Sequence, residues 1–154
     1  MTDTRTVERK EGMKVRKASA MWQGDLRSGT GSINSTSGAF SNMPYTFATR
    51  FEDKPGTNPE ELIAAAHAAC FSMALSADLG RAGFKAERIE STAEVSFGKV
   101  DDKPTVTASH LKTKARVPGI DRGTFEKIAN ETKAGCPISR LLKAEITLEA
   151  TLES

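Results

Sequence analysis

From Leu62 to Ala77 the chain carries no Asp, Glu, Lys or Arg, and no other stretch restricts its fold so severely. The run opens on a strong helix-start signal. Asn58 can cap the free amides, Pro59 stands where a missing N–H costs nothing, and Glu60 and Glu61 face the positive end of the helix dipole. Glu61 occupies the reach-back position of a capping box begun by Asn58. A helix that is apolar all round must be buried, in a protein core or in a membrane. This one is too short and too rich in Ala, Ser and His for a membrane span, so a central helix enclosed by the rest of the protein is expected, with Cys70 at its middle.

The rest of the composition fits such a core. A chain of 154 residues, 38% hydrophobic and 27% charged, is long enough for one domain or for one subunit of an intertwined oligomer. A formal net charge of +2, with basic residues scattered among acidic ones, argues against a nucleic-acid partner. The first residues show no apolar leader, so a cytoplasmic, reducing location is expected. There, two cysteines do not make a disulfide scaffold; they are core filling or redox chemistry.

Residues 1–13 show no apolar periodicity and are expected to form a mobile arm, with a single folded domain over 14–154. Ala18, Ala20 and Trp22 begin a strand, the glycines at 24, 29 and 31 mark a turn, and a second strand falls near Ser32–Thr36. Tyr45, Phe47, Thr49 and Phe51 alternate with polar and small residues and predict a third strand with an aromatic face. After the central helix, alternation predicts strands through Ile89–Phe97, Leu111–Val117 and Ile146–Leu152. Between the last two, Asp121 caps a helix with Phe125, Ile128, Ala129 and Thr132 on one stripe, and Cys136-Pro137 starts a short helix. The order reads as an α+β fold with antiparallel sheets around the central helix. One sheet covers one helix face, so the charge-free helix predicts a two-fold homodimer in which it packs against its copy.

Among side chains able to do chemistry, a lone helical cysteine such as Cys70 is most often a small hydrophobe. Cys136 sits at a helix N-terminus, where amides and dipole stabilise a thiolate, so from physics alone it is the more acidic thiol. His67, three residues before Cys70, makes a Cys–His hydrolase pair conceivable, though no third orienting group is evident. Together with His110 these residues form a metal-ligand inventory without metal-ligand spacing, and no phosphate or dinucleotide loop is present. No metal or cofactor is therefore expected.

Several separated motifs bear on the choice. Thr49-Arg50-Phe51-Glu52, Gly56-Thr57-Asn58-Pro59-Glu60-Glu61-Leu62, Ala65-Ala66-His67-Ala68-Ala69-Cys70-Phe71-Ser72-Met73-Ala74-Leu75, Val117-Pro118-Gly119-Ile120-Asp121, Lys133-Ala134-Gly135-Cys136-Pro137 and Leu142–Leu148 closely resemble the osmotically inducible protein C (OsmC) family, in the same order. The resemblance runs from about Lys14 to the C-terminus. It implies an OsmC-like intertwined homodimer and a cysteine peroxidase that reduces organic hydroperoxides, related to the organic hydroperoxide resistance (Ohr) proteins. By the same resemblance Cys70 is the peroxidatic cysteine and Cys136 the resolving one, which reverses the acidity ranking. Arg50 matches the arginine that holds the thiolate in the OsmC branch, and Glu60 matches the carboxylate that positions it. In the Ohr branch the arginine lies in an earlier loop, where Arg27 is the reserve candidate. The apolar neighbours Ala69, Phe71 and Met73 are the expected substrate-pocket residues, favouring alkyl over hydrogen peroxide. The family implies an external dithiol reductant of lipoyl type. The competing class is a dimeric hydrophobic-ligand carrier whose cysteines are incidental.

Overall fold

The structure is a computed structural model and describes residues 12–153. The expected N-terminal arm lies outside the described residues except for Gly12 and Met13, both exposed. The chain divides into two compact units, through Thr57 and from Asn58 onward.

In the first unit, β1 (Ala18–Gln23), β2 (Thr30–Ser35) and β3 (Met43–Tyr45) form an antiparallel meander in that order. Gly31 pairs with Trp22 on one side and Tyr45 on the other. A Cβ at Gly31 would stand 2.4 Å from the Tyr45 ring, so glycine is what lets both aromatics close over the sheet, their ring centroids 5.4 Å apart. The expected third strand does not continue through Phe51. Residues Phe47–Phe51 form a short helix, α1, instead. Thr46 and Thr49 explain the difference: each hydroxyl accepts the other's backbone N–H, at 3.3 and 2.9 Å, a reciprocal capping box that satisfies two orphan donors at once. The aromatic alternation was also helical spacing in part, since Phe47 and Phe51 stand one turn apart with rings 5.0 Å from each other.

The second unit opens with α2 (Pro59–Arg81), whose Asn58 cap accepts the Glu61 amide at 2.8 Å. It ends at a left-handed Gly83, φ 90°, with the Phe84 amide returning to the Leu79 carbonyl. Then come β4 (Arg88–Val100), β5 (Lys103–Arg116), α3 (Arg122–Gly135), α4 (Pro137–Leu141) and β6 (Glu145–Leu152). β4 and β5 are a long antiparallel hairpin, while β6 lies parallel to β5, so this sheet is mixed. The reason is topological: α3 and α4 form a crossover between β5 and β6, and a crossover returns the chain in the same direction.

α2 packs one column, His67, Phe71, Leu75 and Leu79, fully into the core of this unit. Its partners are Leu111 and Ala115 of β5 and Phe125, Ile128 and Ala129 of α3. The four-residue spacing of that column is the stripe a helix presents to one surface. Thr132 of α3 adds a polar tie by donating to Asp78 of α2 at 2.6 Å. By length and composition α2 could cross a membrane; its buried column and hydrogen-bonded His67 are those of a core helix. Its opposite flank is bare in the single chain, with Ala65, Ala69 and Ser76 exposed and Met73 78% exposed.

Candidate active site

Cys70 lies halfway along α2 and is partly buried, whereas Cys136 is 1% exposed. Cys136 is a one-residue corner, at once the C-cap of α3 and the N-cap of α4. Its own amide closes α3 on the Thr132 carbonyl at 2.9 Å, and Pro137 then starts α4. This corner aims the Cys136 thiol at Cys70, with the two sulfurs 3.3 Å apart. A disulfide bond is about 2.05 Å long, so bonding requires an approach of only about 1.3 Å.

The helix terminus at Cys136 is used differently from the sequence-based expectation. Cys136 makes no capping hydrogen bond through its side chain. The α4 amide of Ile138 bonds to Cys70 instead, so the helix terminus credited to Cys136 serves the other sulfur. Burial pushes the Cys70 thiol up, the Ile138 amide pulls it partly back, and the neighbouring Cys136 pushes it up further; the net shift is upward. An upward shift from an already alkaline value leaves Cys70 a thiol at neutral pH.

His67 is fully buried, and both ring nitrogens are committed. Nδ1 pairs with Ser109 Oγ of β5 and Nε2 with Ser139 Oγ of α4, each at 2.7 Å. No ring nitrogen is left to act as base toward Cys70, which removes the footing of the Cys–His hydrolase pair. Phe71 belongs wholly to the core, while Ala69 and Met73 share the exposed flank of α2. Glu60 stands in the first turn of α2.

The two arginine candidates belong to the first unit. Arg50 stands in the last turn of α1, with its guanidinium 5.2 Å from the Phe51 ring centre, and Arg27 lies 4.9 Å from that of Phe47. Arg50 also walls a cleft of about 200 Å³ with Trp22, Leu26, Tyr45, Phe47 and Phe51, a cation set among apolar and aromatic surfaces. Among the sequence-predicted residues, the structure brings Cys70 and Cys136 together. Sequence reasoning missed Ile138, Ser109 and Ser139. A backbone donor leaves no mark in the residue type, although Pro137 at the first helical position was a cue that free amides follow.

The arrangement is a pair of thiols 3.3 Å apart, one partly and one fully buried, at the junction of α2 and α4. An organic hydroperoxide resistance protein of Bacillus subtilis (OhrB) matches with a TM-score of 0.62 at 24% identity over 89% of this chain and 98% of that one. An OsmC-like protein of unknown function from Vibrio cholerae gives a TM-score of 0.70 at 18% identity over 90% and 99%. The family model described as OsmC-like protein matches residues 51–151, and the chain belongs to that family. It is 54% identical over 139 residues to the Escherichia coli protein named Peroxiredoxin OsmC, covering 90% of this chain and 97% of that protein. It is 29% identical over 98 residues to the organic hydroperoxide resistance protein of Xanthomonas axonopodis pv. citri, covering 63% and 67%.

The His67 geometry has a pH consequence. Burial lowers its pKa from the usual value near 6.5. The unfolded chain takes up a proton that the folded chain refuses, so stability is complete above about 6.5 and declines as pH falls toward the folded pKa. Thermal unfolding between pH 7.5 and pH 5 is expected to show a falling Tm, with a shallower slope in His67→Gln. Parallel slopes in the two proteins would show that His67 is not the titrating group.

Proposed function

We propose that this chain is a cysteine peroxidase that reduces organic hydroperoxides to alcohols, as part of a cytoplasmic defence against oxidative or osmotic stress. The observation that carries the reading is the pair of sulfurs, Cys70 and Cys136, held 3.3 Å apart within one chain. The name of the 54%-identical relative, Peroxiredoxin OsmC, supports the peroxidase class.

In the first step the Cys70 thiolate attacks the distal oxygen of R–O–O–H. The O–O bond breaks, the leaving alkoxide takes a proton to become the alcohol, and Cys70 becomes a sulfenic acid. In the second step the Cys136 sulfur attacks the sulfenic sulfur; the thiol proton and the sulfenic hydroxyl leave as water, and a Cys70–Cys136 disulfide forms. An external dithiol, of the lipoyl type implied by the family, then reduces the bridge by exchange. Arg50 is assigned to the thiolate and Glu60 to the orientation of Arg50. The need for a cation follows from the raised Cys70 thiol. The exposed Ala69 and Met73 suit a peroxide with a hydrocarbon tail, and Phe71 backs α2 from the core side.

The active form is proposed to be a homodimer made of single-domain subunits spanning residues 14–154. Ten residues separate Glu60 from Cys70, about 15 Å along a continuous helix, too far for side chains of one α2 to share a site. Two α2 helices crossing antiparallel near Ala65 would bring Glu60 of one copy beside Cys70 of the other. The bare, uncharged flank of α2 supports that packing.

Stopped-flow oxidation of the reduced protein tests the chemistry. Cumene hydroperoxide is expected to consume thiol much faster than hydrogen peroxide. Cys70→Ser should abolish the reaction, and Cys136→Ser should stop it at the sulfenate. Arg50→Ala should slow the first step about 10- to 100-fold, the scale of one charge-assisted hydrogen bond, with a smaller effect from Arg27→Ala. Equal, slow oxidation by both peroxides would make the cysteines ordinary thiols and point to the ligand-carrier class. For the composite site, Met73→Glu is expected to sediment as a folded monomer that has lost peroxidase turnover. A folded monomer with full turnover would rule out a site shared between copies.

A further inference from the structure

The mechanism so far leaves His67 unused, although it is fully buried at the point where three elements meet. Its ring spans from Ser109 on β5 to Ser139 on α4, a residue 72 positions away in sequence. Within α4 and its cap, Cys136 contacts Cys70 through sulfur, Ile138 contacts Cys70 through its amide, and Ser139 contacts His67. All three contacts land within one turn of α2, because His67 and Cys70 are three residues apart. α4 itself is only five residues long, with Leu141 74% exposed at its end. A helix of that length has little intrinsic stability, and its position must be set by what it touches.

We propose that His67 is a positioning residue for the thiol–thiol step, acting as a clasp that fixes α4 to α2 and β5 and so holds Cys136 against Cys70. The inference deepens the peroxidase reading and rests on the same sulfur pair. Imidazole suits the role because it is rigid and offers nitrogens on opposite sides. One donates and one accepts in the neutral ring, and each serine hydroxyl can take the complementary part. With the clasp closed, condensation of sulfenic acid and thiol is an intramolecular step whose orientation is already supplied, the condition under which effective concentrations become very large. With it open, α4 is free to carry Cys136 and the Ile138 amide away together.

The test is the equilibrium of the dithiol with glutathione, in which protein dithiol and glutathione disulfide give the Cys70–Cys136 bridge and two glutathione thiols. It reads the effective concentration of the pair without any peroxide. Ser139→Ala, checked by circular dichroism to be folded, is expected to lower the constant about tenfold or more, the scale of one broken buried hydrogen bond. Ser139→Thr, which keeps the hydroxyl, is expected to restore most of it, as a purely space-filling role would not require. A constant within about twofold of wild type in folded Ser139→Ala would overturn the clasp. Should Ser139→Ala fail to fold, His67→Gln is measured in the same buffer against the same criterion. Peroxide turnover by the wild-type chain is followed alongside. If turnover is absent, the peroxidase reading falls while the glutathione comparison still decides the clasp.

Discussion

The column His67, Phe71, Leu75 and Leu79 is the constraint on which the second unit depends. These side chains are fully buried on one face of α2, and β5 and α3 are laid against them. The column does two jobs with one periodicity. Its lower three members supply apolar area to the core, whereas His67 supplies a polar tie that must be satisfied in full, because an unpaired imidazole at that depth would be costly. Ser109 and Ser139 satisfy it, and among the described residues no buried side-chain polar atom lacks a partner. Cys70 lies one position off this column, so it is fixed by the core without being sealed inside it.

That placement sets the electrostatic problem of the site. Burial favours the thiol over the thiolate, and one backbone amide does not fully offset it. A thiol kept neutral in this way is protected from indiscriminate reaction unless a cation lowers its pKa. In the proposed function, that cation comes from an arginine set among aromatic rings. The same proposal assigns a hydrocarbon-tailed substrate to the apolar, exposed Ala69 and Met73 of α2. Stability and chemistry are coupled through a single short segment, residues 136–139, which caps α3, starts α4, supplies the Ile138 amide and presents the second sulfur.

Much of this was legible in the sequence because it follows from period. The 3.6-residue stripe of Phe125, Ile128, Ala129 and Thr132 is buried as expected, and so is the alternation of Leu111, Thr113 and Ala115. The start of α2 follows from its cap, proline and acidic first turn. Misreadings arose where two local preferences competed or where the signal was long-range. Aromatic alternation at 45–51 suggested a strand, and the Thr46–Thr49 capping box overrode it. The direction of β6 depends on the path of a two-helix crossover that strand alternation does not encode. At the site, the neighbourhood of the two cysteines was implied only by family resemblance. The other contacts of the site were invisible because the donor to Cys70 is a backbone amide and the partners of His67 are serines far away in sequence.

In the proposed function Cys70 and Cys136 of one chain form a single redox unit. The most direct measurement is a non-reducing peptide map by mass spectrometry after one equivalent of cumene hydroperoxide. One dominant product is expected, a peptide pair joined through Cys70 and Cys136 of the same chain, with neither cysteine recovered as sulfinic acid. Recovery of Cys136 as free thiol beside a terminally oxidised Cys70, or of bridges only between chains, would contradict it.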